Sequence, residues 1–186
     1  MKKPISSTYH PQSPNFYSFR GSLQTTRANL PHWNKKNTAC FVTFRLFDSL
    51  PREKILRIKE LEDCDQAEIQ DCLDQGFGSC LLGNSSAFQA MEDVLWHFAG
   101  EQYDLYCYVI MPNHVHVLFM PLGENSISDI VAGWKSVSSH QINALLGRQG
   151  PVWQKESFDT LVRSERHFQT IIRYIKSNDL NKYWCS

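Results

Sequence analysis

The chain has 186 residues, 42% of them hydrophobic and 20% charged, with a formal net charge of zero. That length suits one domain with a real core, and the composition excludes a disordered or fibrous chain. No apolar run approaches the roughly 20 residues of a membrane span, and Met1-Lys2-Lys3-Pro4 opens no apolar leader, so the expectation is a cytoplasmic protein without a membrane partner. Neutrality conceals segregation: residues 1–47 carry seven Lys/Arg and no acid, whereas residues 48–104 carry four basic and thirteen acidic residues. Residues 131–186 are basic again, with eight Lys/Arg against four acids, so a polyanion would meet the two ends of the chain and avoid its middle. The six cysteines, Cys40, Cys64, Cys72, Cys80, Cys107 and Cys185, form no C-x-x-C pair. They are expected to be reduced thiols.

In chain order, residues 1–37 mix Pro, Ser, Asn and basic residues with Tyr9, Phe16, Tyr17, Phe19 and Trp33, without a period of 2 or 3.6. They read as a basic, aromatic-containing N-terminal arm, suited to a nucleic-acid strand or to packing across a sheet. Residues 38–186 read as a single domain. Thr38–Phe47 alternates as a first strand. Pro51 opens a helix with Ile55, Leu56, Ile58 and Leu61 on its apolar side, continuing acidic to Asp74. Gly76-Phe77-Gly78 is a loop and a poor phosphate cradle. Ser85 or Ser86 can cap a helix to about Ala99, with Phe88, Met91, Val94, Leu95 and Phe98 inward. Leu105–Ile110 and His114–Met120 form a hairpin turned by Pro112 and Asn113.

After Gly123, Ile127, Ile130, Val131, Trp134, Val137, Ile142 and Leu145 describe another amphipathic helix. Phe158–Val162 is a short final strand, and Ser164 caps a last helix with Phe168, Ile171, Ile172 and Ile175 on its core face. The order suggests an α+β fold: a ferredoxin-like (RRM-like) βαββαβ unit, an antiparallel sheet with helices on one face, plus an added C-terminal helix.

The chemistry concentrates in His-Val-His at 114–116. Side chains i and i+2 leave the same face of a strand about 6.5 Å apart, so two imidazoles can grip one metal ion. A pair of bland surface or core histidines fits those three residues equally well. On the last helix, Tyr174 and Asn178 are four apart, neighbours at the edge of the apolar stripe. A tyrosine there is a candidate nucleophile if a metal stands nearby.

These residues resemble a known family. Tyr-Val-Ile-Met-Pro-Asn-His-Val-His-Val-Leu at 108–118 is similar to the HUH signature of single-tyrosine, IS200-like transposases, and specifically of the REP-associated tyrosine transposases. Residues 42–51, Trp134-Lys135-Ser136, residues 142–148, Gly150–Gln154 with Phe158, Asp159 and Arg163, and Arg173-Tyr174-Ile175 with Asn178 extend the likeness over about residues 38–180. The family helix usually ends Tyr-Ile-x-Asn-Asn-Pro; here Ser177 and Asp179 replace the first Asn and the Pro.

The resemblance implies that His114, His116 and Asn178 hold a divalent metal, Mg²⁺ or Mn²⁺. It implies that Tyr174 attacks single-stranded or hairpin DNA through a 5′-phosphotyrosine, without a nucleotide cofactor. Arg45, Lys135, Arg148, Trp153, Gln154, Arg163 and Arg173, in the matched blocks, are the expected DNA contacts, and a monomer is favoured over a dimer. Two other readings remain: a domesticated binder of structured nucleic acid that does not cut, and a His-x-His metallohydrolase with His140 or His167 as third ligand.

Overall fold

Strong β-formers set the centre of the molecule. In the computed structural model, which describes residues 9–18, 24–27, 31–50, 75–178 and 183–185, Cys40–Arg45 is a six-residue strand, β3. It is shorter than the Thr38–Phe47 run because Leu46 pairs only through a single bridge to Trp153. It follows two four-residue strands, β1 (Gln24–Arg27) and β2 (Pro31–Asn34), paired as a separate antiparallel ribbon. The arm is therefore not wholly irregular, although its sequence carries no period that shows this. The helix expected after Pro51 lies outside the described residues.

Beyond a 3-10 turn at Leu81–Gly83 runs helix α1 (Ser85–His97), capped by Asn84 rather than by a serine. The Asn84 side-chain oxygen accepts from the Ser86 and Ala87 amides at 2.9 and 3.3 Å, meeting two of the amides a helix start leaves unpaired. Strands β4 (Tyr103–Ile110) and β5 (His114–Pro121) follow, each buried along its whole length. The Met111 amide donates to the His114 carbonyl at 2.9 Å and closes their turn. Helix α2 (Ile127–Leu145) begins at a Ser126 cap, β6 is Phe158–Leu161, and helix α3 (Glu165–Ser177) begins at the expected Ser164 cap. A further strand, β7 (Tyr183–Cys185), follows where the sequence suggested none.

The five-stranded sheet has the order β6-β3-β5-β4-β7, every neighbouring pair antiparallel. Its first four strands have the ferredoxin-like arrangement expected from the sequence. Helices α1 and α2 cover one face, where Phe44, Val115, Val117 and Phe119 meet Met91, Leu95, Ile130 and Trp134. The polar tips buried there are paired. Trp134 Nε1 donates to the Tyr103 hydroxyl (2.9 Å), which donates to the Leu95 carbonyl (2.9 Å), so α2, β4 and α1 are joined without an orphaned group.

Val137 (47% exposed) and Leu145 (56%) leave the stripe assigned to them and face outward, as does Phe98. Helix α3 packs on the opposite face, with Phe168, Ile171 and Ile175 against Tyr106, Val109, Leu118 and Met120. Helices on one face therefore describes α1 and α2 only.

Two further features were not legible. A bulge at Tyr106 breaks the alternation of β4, so that Tyr103 and Leu105 share a face with Tyr108 and Ile110. Cys107 and Cys185, register partners on β4 and β7, are joined as a disulfide, which corrects the expectation of reduced thiols at that pair.

Candidate active site

The α3 face of the sheet presents the residues of interest. Because β3 and β5 are antiparallel and in register, Arg45 lies directly opposite His114, and Thr43 opposite His116, each pair on one side of the sheet. Val115 and Val117 turn the other way into the α1/α2 core, which holds the strand in one register. Both histidines are fully buried. Burial alone pushes His114 down to about 4, and burial, then the neighbouring His114, pushes His116 well below the ordinary imidazole range. Both rings are therefore neutral at pH 7.

Each ring has one nitrogen engaged behind it and one in front. His114 Nδ1 is 2.8 Å from Asn113 Oδ1, and His116 Nδ1 is 2.8 Å from Thr43 Oγ1. The two Nε2 atoms face each other at 3.0 Å. Phe41 stacks on His116 with ring centroids 5.4 Å apart. Above them lies α3, seated by Ile171 and Ile175, which brings the half-buried Tyr174 over His116. The Tyr174 hydroxyl is 3.2 Å from His116 Nε2 and its ring meets His116 edge to face at 5.2 Å.

Neutral imidazole nitrogens converging in front, with hydrogen-bond partners behind, are a donor set that could hold a metal ion between two histidines. Those residues fit the ion the sequence suggested. Asn178 ends α3, where its Nδ2 donates to the Tyr174 carbonyl at 2.9 Å. Its carbonyl oxygen is the ligand-capable end of that amide. Among the described residues no group of three or more His, Cys, Asp or Glu is placed to hold a metal. His140 is exposed on α2, across the sheet from His114, and His167 Nδ1 accepts the Arg163 amide at 3.3 Å; among the described residues neither is grouped with His114 and His116 as a third ligand.

The expected DNA contacts divide. Arg45 stands beside His114, half-buried, its guanidinium Nη1 3.5 Å from Ser49 Oγ. Arg173, exposed on α3, precedes Tyr174, and Arg163 is exposed just before the same helix. Lys135 donates to the Lys155 carbonyl at 2.8 Å, and burial lowers its ammonium to about 8. Arg148 is half-buried just beyond α2. Gln154 donates to the Phe47 carbonyl. Trp153, 6% exposed, is a core residue, its indole donating to Ser138 Oγ at 2.8 Å and its ring against Phe44. Sequence reasoning missed Phe41, Thr43 and Asn113. Alternation with Arg45 along β3 could have found the first two; from the sequence Asn113 reads as a turn residue alone.

Residues 89–178, from α1 to Asn178, match the family model described as transposase, IS200 like. A solved structure described as a REP-associated tyrosine transposase bound to a REP hairpin shares the fold, with a TM-score of 0.50 and 15% identity over 83% of this chain and 74% of that one. A crystal structure assigned by name to a transposase of Deinococcus radiodurans aligns over 87% of this chain and 97% of that one, at 16% identity and a TM-score of 0.35. Among curated proteins, none matches the sequence.

Proposed function

We propose, from the match of residues 89–178 to the IS200-like transposase model and from the geometry of the site, that this chain is a metal-dependent enzyme that nicks and rejoins single-stranded DNA beside a hairpin. The observation that carries the reading is the Tyr174 hydroxyl 3.2 Å from His116 Nε2, on the face where both histidines converge. His114, His116 and the Asn178 carbonyl would hold Mg²⁺ or Mn²⁺. When bound, the ion polarises the phosphodiester and offsets the charge of the pentacovalent transition state.

The chain's own residues do the rest. Thr43 and Asn113 hold the imidazoles by their rear nitrogens. The Arg45 guanidinium, beside His114, offers planar paired donors to a phosphate. Tyr174 supplies the attacking oxygen: its bond to phosphorus forms as its proton is lost to solvent, the bond to the 3′ oxygen breaks, and that oxygen takes a proton from solvent and leaves as a 3′-OH. The 5′ phosphate stays on the tyrosine, so a DNA 3′-OH can reverse the step without a nucleotide cofactor. The hairpin in the related structure and the basic character of residues 131–186 support hairpin DNA as the substrate class.

The test is covalent trapping. Labelled single-stranded hairpin DNA with Mn²⁺ should leave a denaturation-resistant adduct that maps by mass spectrometry to Tyr174. Tyr174→Phe should fold and bind the hairpin yet form no adduct, and chelation should abolish the adduct in the unaltered protein. Hairpin binding without any adduct would instead favour a domesticated binder.

A further inference from the structure

The reading of a two-histidine metal site leaves open what makes the ring nitrogens face one another, and the answer lies in a loop more than thirty residues earlier in the chain. An asparagine amide has two unlike ends, and their assignment follows from their neighbours. Asn113 Nδ2 donates to the Phe77 carbonyl at 3.1 Å. A carbonyl can only accept, so the NH₂ end must lie there. The opposite end, Oδ1, is thereby committed to His114 Nδ1 at 2.8 Å. Because Oδ1 can only accept, His114 Nδ1 must carry the ring's single proton. The lone pair is left on Nε2, the atom facing His116.

Phe77 is itself held. Gly78 has φ +91°, and a Cβ there would stand 2.5 Å from the Asp48 carbonyl oxygen, so the loop lies directly against Asp48. The Ser79 amide donates to Asp48 Oδ2 at 2.8 Å and fastens the same contact.

We propose that Asn113 is the positioning residue of the metal site, set by the Phe77 carbonyl and in turn setting the Nδ1–H tautomer of His114. This rests on the metal-site reading above, and it gives Gly76-Phe77-Gly78 a role that its composition does not disclose. Asn113 is buried behind the His114 ring and would act through it rather than on a substrate. It acts by keeping the metal-facing nitrogen deprotonated before any ion arrives, and partners of this kind typically contribute about 10- to 100-fold in metal affinity.

The experiment uses the full chain with ¹⁵N-labelled histidine. Long-range ¹H–¹⁵N correlation spectra of the metal-free protein should show His114 as the Nδ1–H tautomer, and Asn113→Ala should show a mixture. Calorimetric Mn²⁺ affinity should fall about 10- to 100-fold in Asn113→Ala and return to within a few-fold of the unaltered protein in Asn113→Asp, which keeps an acceptor. Gly78→Ala, which disturbs the loop and its seat on Asp48 but leaves the Asn113 side chain in place, should shift the His114 spectrum in the direction of Asn113→Ala. Unchanged tautomer and affinity in Asn113→Ala would overturn the proposal. Should that variant not fold, Asn113→Asp decides: Nδ1–H retained supports it and Nε2–H refutes it. An unaltered protein that shows the Nδ1–H tautomer yet binds no Mn²⁺ would overturn the metal reading while leaving the tautomer assignment standing.

Discussion

Burial, rather than a neighbouring charge, is the largest influence on both histidines, and that gives metal-free stability a definite pH dependence. The folded His114 takes up a proton only near pH 4, whereas an unfolded histidine does so near pH 6.5. Between those values the unfolded chain binds more protons, so the contribution is complete above about 6.5 and is lost as pH falls toward about 4. In chelator, the urea midpoint should therefore decline across that window. The double variant His114→Gln, His116→Gln should decline less steeply. Equal slopes would remove His114 and His116 as the cause. At the same scale, Asn113 and Thr43 are residues whose types alone suggest a turn and a strand; only their neighbours make them partners of a site.

Helix α3 is the element on which the proposed nucleophile, Tyr174, depends. Its start is held by Ser164, whose hydroxyl accepts the His167 amide at 3.2 Å, and its seat by Ile175, fully buried one residue after Tyr174. Ser164→Ala should cost about 1 kcal/mol, the usual effect of removing a cap oxygen, and leave adduct formation intact where the protein is folded. Ile175→Ala should cost about 2–5 kcal/mol through the cavity it leaves and also reduce adduct formation, because the turn bearing Tyr174 loses its support. Chemical denaturation beside the trapping assay separates the two. Equal effects of both variants on adduct yield would mean that α3 seating does not position the tyrosine. The alternation of β3 and β5 was legible because each keeps a period of two; that of β4 was not, because the Tyr106 bulge resets it.

Across the whole molecule, the arm is partly a strap. The Tyr9 hydroxyl donates to Asp104 Oδ1 at 3.3 Å and accepts the Leu105 amide at 2.7 Å, while the Gln12 amide donates to Asp104 Oδ2 at 3.2 Å. Further along, the Ala39 amide donates to the Asn15 carbonyl and the Tyr17 amide to the Val162 carbonyl, so residues 9–17 border the sheet from β4 to β6. Asp104 is buried and burial raises its carboxyl. Tyr9→Phe leaves it one donor short and strands the Leu105 amide. That substitution should cost about 1–3 kcal/mol without changing Mn²⁺ affinity. A thermal midpoint equal to that of the unaltered protein would show that solvent replaces the strap freely. For the same reason, deletion of the first 30 residues would remove packing as well as basic charge and would not isolate the latter.

Local pattern determined most of the elements and the heart of the candidate site. A period of two put His114 and His116 on one face whatever surrounds them, a period near 3.6 put Tyr174 one turn before Asn178, and Ser164 announced where that helix begins. Each of those relations spans at most a few residues of chain, so covalent geometry alone carries them. What remained depends on segments that meet only after folding. Tyr174 and His116 are 58 residues apart, and Asn113 and Phe77 are 36 apart. The face chosen by α3, the burial of Trp153 under Phe44 and the pairing of Cys107 with Cys185 are likewise long-range. A buried polar group must find a partner and an apolar face must find cover, but nothing local states which distant segment will supply them. The tertiary structure alone decided that.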